Sequence, residues 1–141
     1  MVGAMVRAVT IARVVLAGLA ALAALPACDQ TENDRPPTLP YITLAILQPY
    51  CAQGVCHSSY RKESGYAFDT LDAARESLLI GRSGAATRLV NPDEPEASLL
   101  YTVLVRKIRR MPYDAPLPDK DIELVLRWIE QKAASDLGLA P

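Results

Sequence analysis

The sequence predicts an all-α domain of about four short helices joined by long loops. Three observations carry this. No stretch alternates apolar and polar residues for long enough to make a half-buried strand. Several segments instead repeat apolar residues at three- and four-residue intervals, the period of one helix face. Prolines and glycines fall between those segments, where they end helices and shape loops.

The first helix is expected over Tyr41–Tyr50, apolar at 42, 44, 46 and 47, interrupted by Pro49 and ending at the cysteines. Ser58–Gly65 is a polar loop. Asp72–Ile80 predicts a second helix, with Asp72 as N-cap and Gly81 as its stop. Residues from Arg82 to Pro95 are loop. Glu96–Ile108 predicts the strongest central helix, with Leu99, Leu100, Val103, Leu104 and Ile108 on one face and Pro112 as its latest end. Tyr113–Pro118 is loop. Asp119–Ala134 predicts the last helix, capped by Asp119, with Ile122, Val125, Leu126 and Ile129 as its inner stripe and Trp128 beside them.

Ahead of these elements the chain has another character. Arg7 and Arg13 precede an uncharged apolar run from Val14 to Leu25. That run is too short to span a bilayer, which takes roughly 20 residues. A basic start, a short apolar run and small residues before a cut describe a signal peptide. Leu25-Pro26-Ala27-Cys28 resembles the lipobox of bacterial lipoproteins, which implies cleavage after residue 27 and lipidation of Cys28. The expected protein is then exported and lipid-anchored to the cell envelope, on a periplasmic membrane face or the cell surface. Asp29–Pro40 is polar and proline-rich, so residues 28–40 are expected to form a flexible tether ahead of a domain over 41–141.

The leader holds two arginines and no acids. Of the 15 basic and 16 acidic side chains, the mature chain would keep 13 and 16, a net charge of −3. Such a balance points away from nucleic acid as a partner. One domain of this size with long loops has a thin core, and a cofactor or a disulfide would supplement it.

The chemistry concentrates at Cys51-Ala-Gln-Gly-Val-Cys56-His57. Two cysteines followed at once by histidine follow the logic of c-type haem attachment: thioethers from the cysteines, and the histidine as an iron ligand. Four residues separate the cysteines, where the usual spacing has two. In an oxidising compartment free thiols rarely persist, so the other reading of Cys51 and Cys56 is a disulfide. Zinc is a poorer third, because two cysteines and one histidine leave its fourth position unfilled. Once the leader is removed, His57 and Met111 are the only histidine and methionine. They are therefore the only pair able to give His/Met axial ligation of one haem iron. A buried core role for Met111 stands beside that reading.

The order of segments carries a resemblance. The Cys51–His57 motif is followed by Val90-Asn-Pro92-Asp-Glu-Pro95-Glu-Ala-Ser98-Leu-Leu100-Tyr101, then Met111-Pro112, then Leu117 and a closing segment with Ile122, Val125, Trp128 and Ile129. Over roughly residues 42–133 this resembles the small cytochrome c-like domains of the planctomycete-type cytochrome c group and related lipoproteins. The resemblance implies a cytochrome c-like fold around one haem site, one covalent haem c on Cys51 and Cys56, and His57 and Met111 as proximal and distal ligands. It implies one-electron transfer, no enzymatic chemistry, and a redox protein as partner besides the membrane. The alternative is the same fold without haem, closed by a Cys51–Cys56 disulfide and serving as a structural or binding module. A haem peroxidase would need a distal acid–base group, and no second histidine is present to serve. Arg106, Lys107, Arg109 and Arg110 suit either a dock for an acidic redox partner or cations at a helix C-terminus. Trp128 is expected to anchor the core, with room for a further contact on a porphyrin.

Overall fold

In a computed structural model of the chain, the structure describes residues 33–79 and 89–139. All regular structure among them is helical. Helix α1 (Leu39–Ile42) runs without a break into a π-helical segment (Thr43–Cys51). A 3-10 turn (Glu63–Gly65) follows, then α2 (Leu71–Leu79), a second 3-10 turn (Pro95–Ala97), α3 (Leu99–Val105), α4 (Asp119–Gln131) and α5 (Ala133–Leu137). The all-α class is as expected. The leader, Cys28 and Gly81 lie outside the described residues.

The first helix ends at the cysteines as expected, and it passes Pro49 by widening around it. Proline lacks an N–H and its ring crowds the preceding turn. A π turn, closing five residues apart, accommodates both effects. Ala52 N–H donates to the Leu47 carbonyl at 3.0 Å, the five-residue closure that a π-helix requires. The result is a helix that delivers Cys51 at its last position.

One core holds these elements together. Leu39, Ile42, Ile46 and Leu47 of the first helix meet Leu124, Val125, Trp128 and Ile129 of α4. Leu100 and Leu104 of α3, Ala74 and Leu78 of α2, and Ala133 and Leu137 of α5 complete the same cluster. Its polar node is Asp136. Carboxylate Oδ2 accepts both the Leu39 N–H at 2.8 Å and the Trp128 indole N–H at 3.0 Å. One side chain of α5 thus satisfies an orphan donor at the start of α1 and the only polar group of the central tryptophan.

The expected tether is packed from Asn33 onward. Asn33 is buried, and its amide donates to the Lys120 carbonyl at 2.7 Å. Arg35 pairs with buried Asp121 at 2.5 Å. The Arg127 guanidinium donates to the carbonyls of Asn33 and Arg35. The packed domain therefore extends at least as far back as Asn33, eight residues before Tyr41. Composition misleads here because the segment is held by charge-assisted hydrogen bonds to its backbone rather than by apolar burial. Arg127→Ala is expected to cost about 1–2 kcal/mol and to open residues 33–38 to limited proteolysis. Unchanged protection of that segment would contradict this account.

Three further boundaries differ from expectation. Thr70, not Asp72, caps α2: its hydroxyl accepts the Ala73 N–H at 3.1 Å. Thr70→Ala should cost about 1 kcal/mol in thermal unfolding, and Asp72→Ala much less.

The central helix is shorter than Glu96–Ile108. Ser98 is extended, and its buried hydroxyl accepts the Asn91 N–H at 2.9 Å, pinning the 91–98 loop instead of lying inside a helix. After Val105 the backbone leaves the helix, Arg109 turns left-handed (φ 54°), and Ile108 is 80% exposed.

The last helix breaks at Lys132 (φ −134°) into α4 and α5. Pro118 rather than Asp119 occupies its N-cap position. Its buried face carries Leu124, Val125, Trp128 and Ile129, while Ile122 and Leu126 are only half-buried. Asp121 shares the buried side, where Arg35 pairs with it.

Candidate haem site

The segment Cys51–His57 folds back on its own start. The His57 N–H donates to the Cys51 carbonyl at 3.0 Å, and the Cys56 N–H to the Gln53 carbonyl at 2.7 Å. Buried Ser58 adds a bond from its hydroxyl to the Gly54 carbonyl at 3.1 Å. The chain then runs out to a tight reversal in which Lys62, Ser64 and Gly65 all adopt positive φ. Its return strap is bonded to the cysteine loop: Glu63 N–H to the Cys56 carbonyl at 3.2 Å, and Phe68 N–H to the His57 carbonyl at 2.7 Å.

Asp69 closes this loop from outside. Its carboxylate accepts both the N–H and the hydroxyl of Ser59, at 2.9 and 2.7 Å. Those bonds hold the carboxyl below its ordinary value of 3.8. A lowered pKa means that the folded state favours the carboxylate. The contribution is present at neutral pH and is lost as the pH falls through the lowered pKa. Asp69→Asn should remove that acid-side dependence while leaving stability at neutral pH only modestly changed.

The reversal places the Glu63 carbonyl 2.9 Å from Nδ1 of His57. A carbonyl can only accept, so Nδ1 carries the proton. Nε2 is then the bare nitrogen, with its lone pair available to a metal. The ring is held further by aromatic neighbours, Phe68 edge-on at a centroid distance of 5.4 Å and Tyr66 at 6.0 Å.

His57 lines a cavity of about 230 Å³ together with Cys51 and Met111. Its walls are mostly apolar: Tyr66, Phe68, Leu89, Leu99, Leu100, Val103 and Leu104, with Ser64 and Arg106 as polar members. Met111 reaches it because its N–H bonds back to the Val103 carbonyl at 2.8 Å, folding the loop after α3 onto that helix. Cys51 and Cys56 are both free thiols. Burial, and then the nearby Cys56, push the Cys51 thiol up to about 12. Cys51 is thus a neutral thiol at physiological pH and a poor nucleophile for disulfide exchange.

Of the residues singled out by sequence, the cavity brings Cys51, His57 and Met111 together, with Cys56 close enough to act on Cys51. Trp128 is fully buried in the core and does not line the cavity. Of the four basic residues, Arg106 occupies the C-cap of α3, as the helix-terminal reading expects, while Lys107, Arg109 and Arg110 follow after the helix has ended. Arg106 lines the cavity, Lys107 and Arg109 are exposed beyond it, and Arg110 lines a different groove.

Sequence reasoning missed Tyr66, Phe68 and the Glu63 carbonyl. Tyr66 and Phe68 carried a signal: two aromatic residues two apart in an extended segment share one side, and here their rings stack at 10°. The carbonyl had none, since its position depends on the left-handed reversal.

Among the described residues no three His, Cys, Asp or Glu side chains gather so as to hold a metal ion. Iron at His57 and Met111 would take its remaining ligands from a porphyrin. No described helix is long and apolar enough to cross a membrane. No family model, curated protein or solved structure matches the chain.

Proposed function

We propose that the chain is an exported lipoprotein, anchored by lipid on Cys28, whose cytochrome c-like domain carries one haem c and transfers single electrons outside the cytoplasm. The observation that carries the reading is the Nδ1–H bond from His57 to the Glu63 carbonyl. It leaves Nε2 without that proton, on a ring that lines a mostly apolar cavity together with Cys51 and Met111.

The donor set fits haem c. Cys51 and Cys56 would hold the group as thioethers, and His57 and Met111 would be its axial ligands. The apolar walls suit a macrocycle's faces. At about 230 Å³ the cavity is smaller than a haem, so the strap over Ser64–Phe68 and the loop leading to Met111 have to part to admit one. When bound, the group supplies one-electron iron chemistry.

The chain's own residues position and tune. The Glu63 carbonyl fixes the tautomer and orientation of His57. The leucines and Val103 exclude water. Arg106, Lys107 and Arg109 present positive charge beside the cavity, suited to a salt-sensitive dock for an acidic redox protein.

A second reading rests on the nearness of the two thiols, which is close enough for Cys56 to raise the pKa of Cys51. In it the fold carries no haem, and a Cys51–Cys56 disulfide serves a structural or binding module.

The two readings separate in one experiment. The full chain is produced in a host able to attach haem and is then denatured. Porphyrin absorbance that stays with the polypeptide supports the first reading. A haem-free chain with Cys51 and Cys56 found linked by mass spectrometry refutes it in favour of the second.

A further inference from the structure

A second groove, of about 460 Å³, runs between α3, α4 and the loop that joins them. Tyr101, Leu104, Val105, Leu117, Ile122 and Leu126 give it apolar walls. Arg110 lines it too, with a buried Nε that has no hydrogen-bond partner. A buried guanidinium N–H without an acceptor costs stability, and among the described residues no hydrogen bond or ion pair holds Arg110 away from a carboxylate in the groove it lines.

The two acids on the rim do not satisfy Arg110. Glu123 is paired with Lys120 at 3.2 Å. Asp119 is exposed at the first position of α4, where the helix dipole already favours it. The groove's volume falls within the roughly 300–1,000 Å³ of small-molecule sites. Ile122 and Leu126 also gain an explanation: they repeat at helical spacing with the core residues, yet stay half-buried because they face this groove.

We propose that this groove is a binding site for an apolar molecule bearing one carboxylate, of fatty-acid chemistry. Arg110 takes the carboxylate, and the hydrocarbon lies along Ile122 and Leu126. Asp119 at the rim selects against a second negative charge. The groove is separate from the cavity at His57, the two sharing only Leu104 among their lining residues.

Hexanoate and 1-hexanol test this on the full chain, with or without haem, by titration followed through the methyl NMR signals of Ile122 and Leu126. They share a six-carbon chain and differ in the carboxylate. Hexanoate is expected to give saturable shifts, and hexanol to bind at least roughly tenfold more weakly, the discrimination a charge-assisted hydrogen bond provides. Arg110→Gln should weaken hexanoate by a similar factor and leave hexanol unchanged. Ile122→Trp, which fills the groove, should abolish both. Equal binding of acid and alcohol to the native chain, or no saturable shift, overturns the proposal without requiring any variant to fold.

Discussion

Trp128→Ala is expected to cost about 3–5 kcal/mol, the range for removing a fully buried large aromatic side chain. Trp128 is 0% exposed and is the largest of the fully buried residues. It sits where α4 meets the first helix and α5, so the cavity left behind cannot collapse without moving three elements. Its loss also removes one of two donors to Asp136 Oδ2. Small domains have only about 5–15 kcal/mol of stability in total, and each kcal/mol shifts the midpoint by roughly 4–8 °C at this size. A drop in Tm of more than about 12 °C is therefore expected. It should be followed by circular dichroism, since this residue is the only tryptophan in the chain. Trp128→Phe separates the two contributions: it keeps most of the ring volume and loses the N–H, so it should fall well short of the alanine variant. Equal losses for Phe and Ala would place the effect in the hydrogen bond rather than in packing.

The helical class was legible because it depends on apolar periodicity, and periodicity survives without tertiary knowledge. Leu100 and Leu104, or Val125 and Ile129, declare a buried face by spacing alone. What failed was where elements begin and end. Ser98 and Thr70 show why. Both are small hydroxyl residues beside an apolar run, and whether such a residue caps, continues or pins a loop depends on partners elsewhere in the chain. Ser98 is bound to Asn91, Thr70 to the backbone of α2. The packed segment from Asn33 to Thr38 was hidden for the same reason. Its partners Asp121 and Arg127 lie more than 80 residues away.

The site divides similarly. Cys51, Cys56 and His57 are contiguous and rare residue types, so a short motif exposes them. Met111 was found by elimination, and its presence beside His57 in one cavity depends on the backbone bond to Val103 that no pattern announces. The second groove was illegible altogether. Ile122 and Leu126 fit an apolar stripe of α4 as well as Leu124 and Trp128 do, and spacing alone does not say which of them faces the core and which the groove.

Met111→Leu is expected to leave the fold in place and to change the metal centre. Leucine is close to methionine in volume, and such swaps usually cost less than about 1.5 kcal/mol. It also keeps the apolar lining of the cavity and the backbone bond to Val103. What it removes is the thioether sulfur, the methionine ligand proposed to share the cavity with His57. On the haem reading, loss of methionine ligation lowers the reduction potential by a sizeable part of the roughly 0.8 V range that axial ligands govern. It also alters the visible spectrum while thermal unfolding changes little. If Met111 is only a core residue, stability and spectrum both stay near the native values. Met111→Ala adds the cost of a cavity, about 2–5 kcal/mol at a fully buried site and less here because Met111 is half-buried. The leucine variant is thus the decisive one: a shifted potential on an intact fold assigns the sulfur to iron, and an unshifted potential removes Met111 from the ligand set while leaving His57 and the cysteines to be judged by haem retention alone.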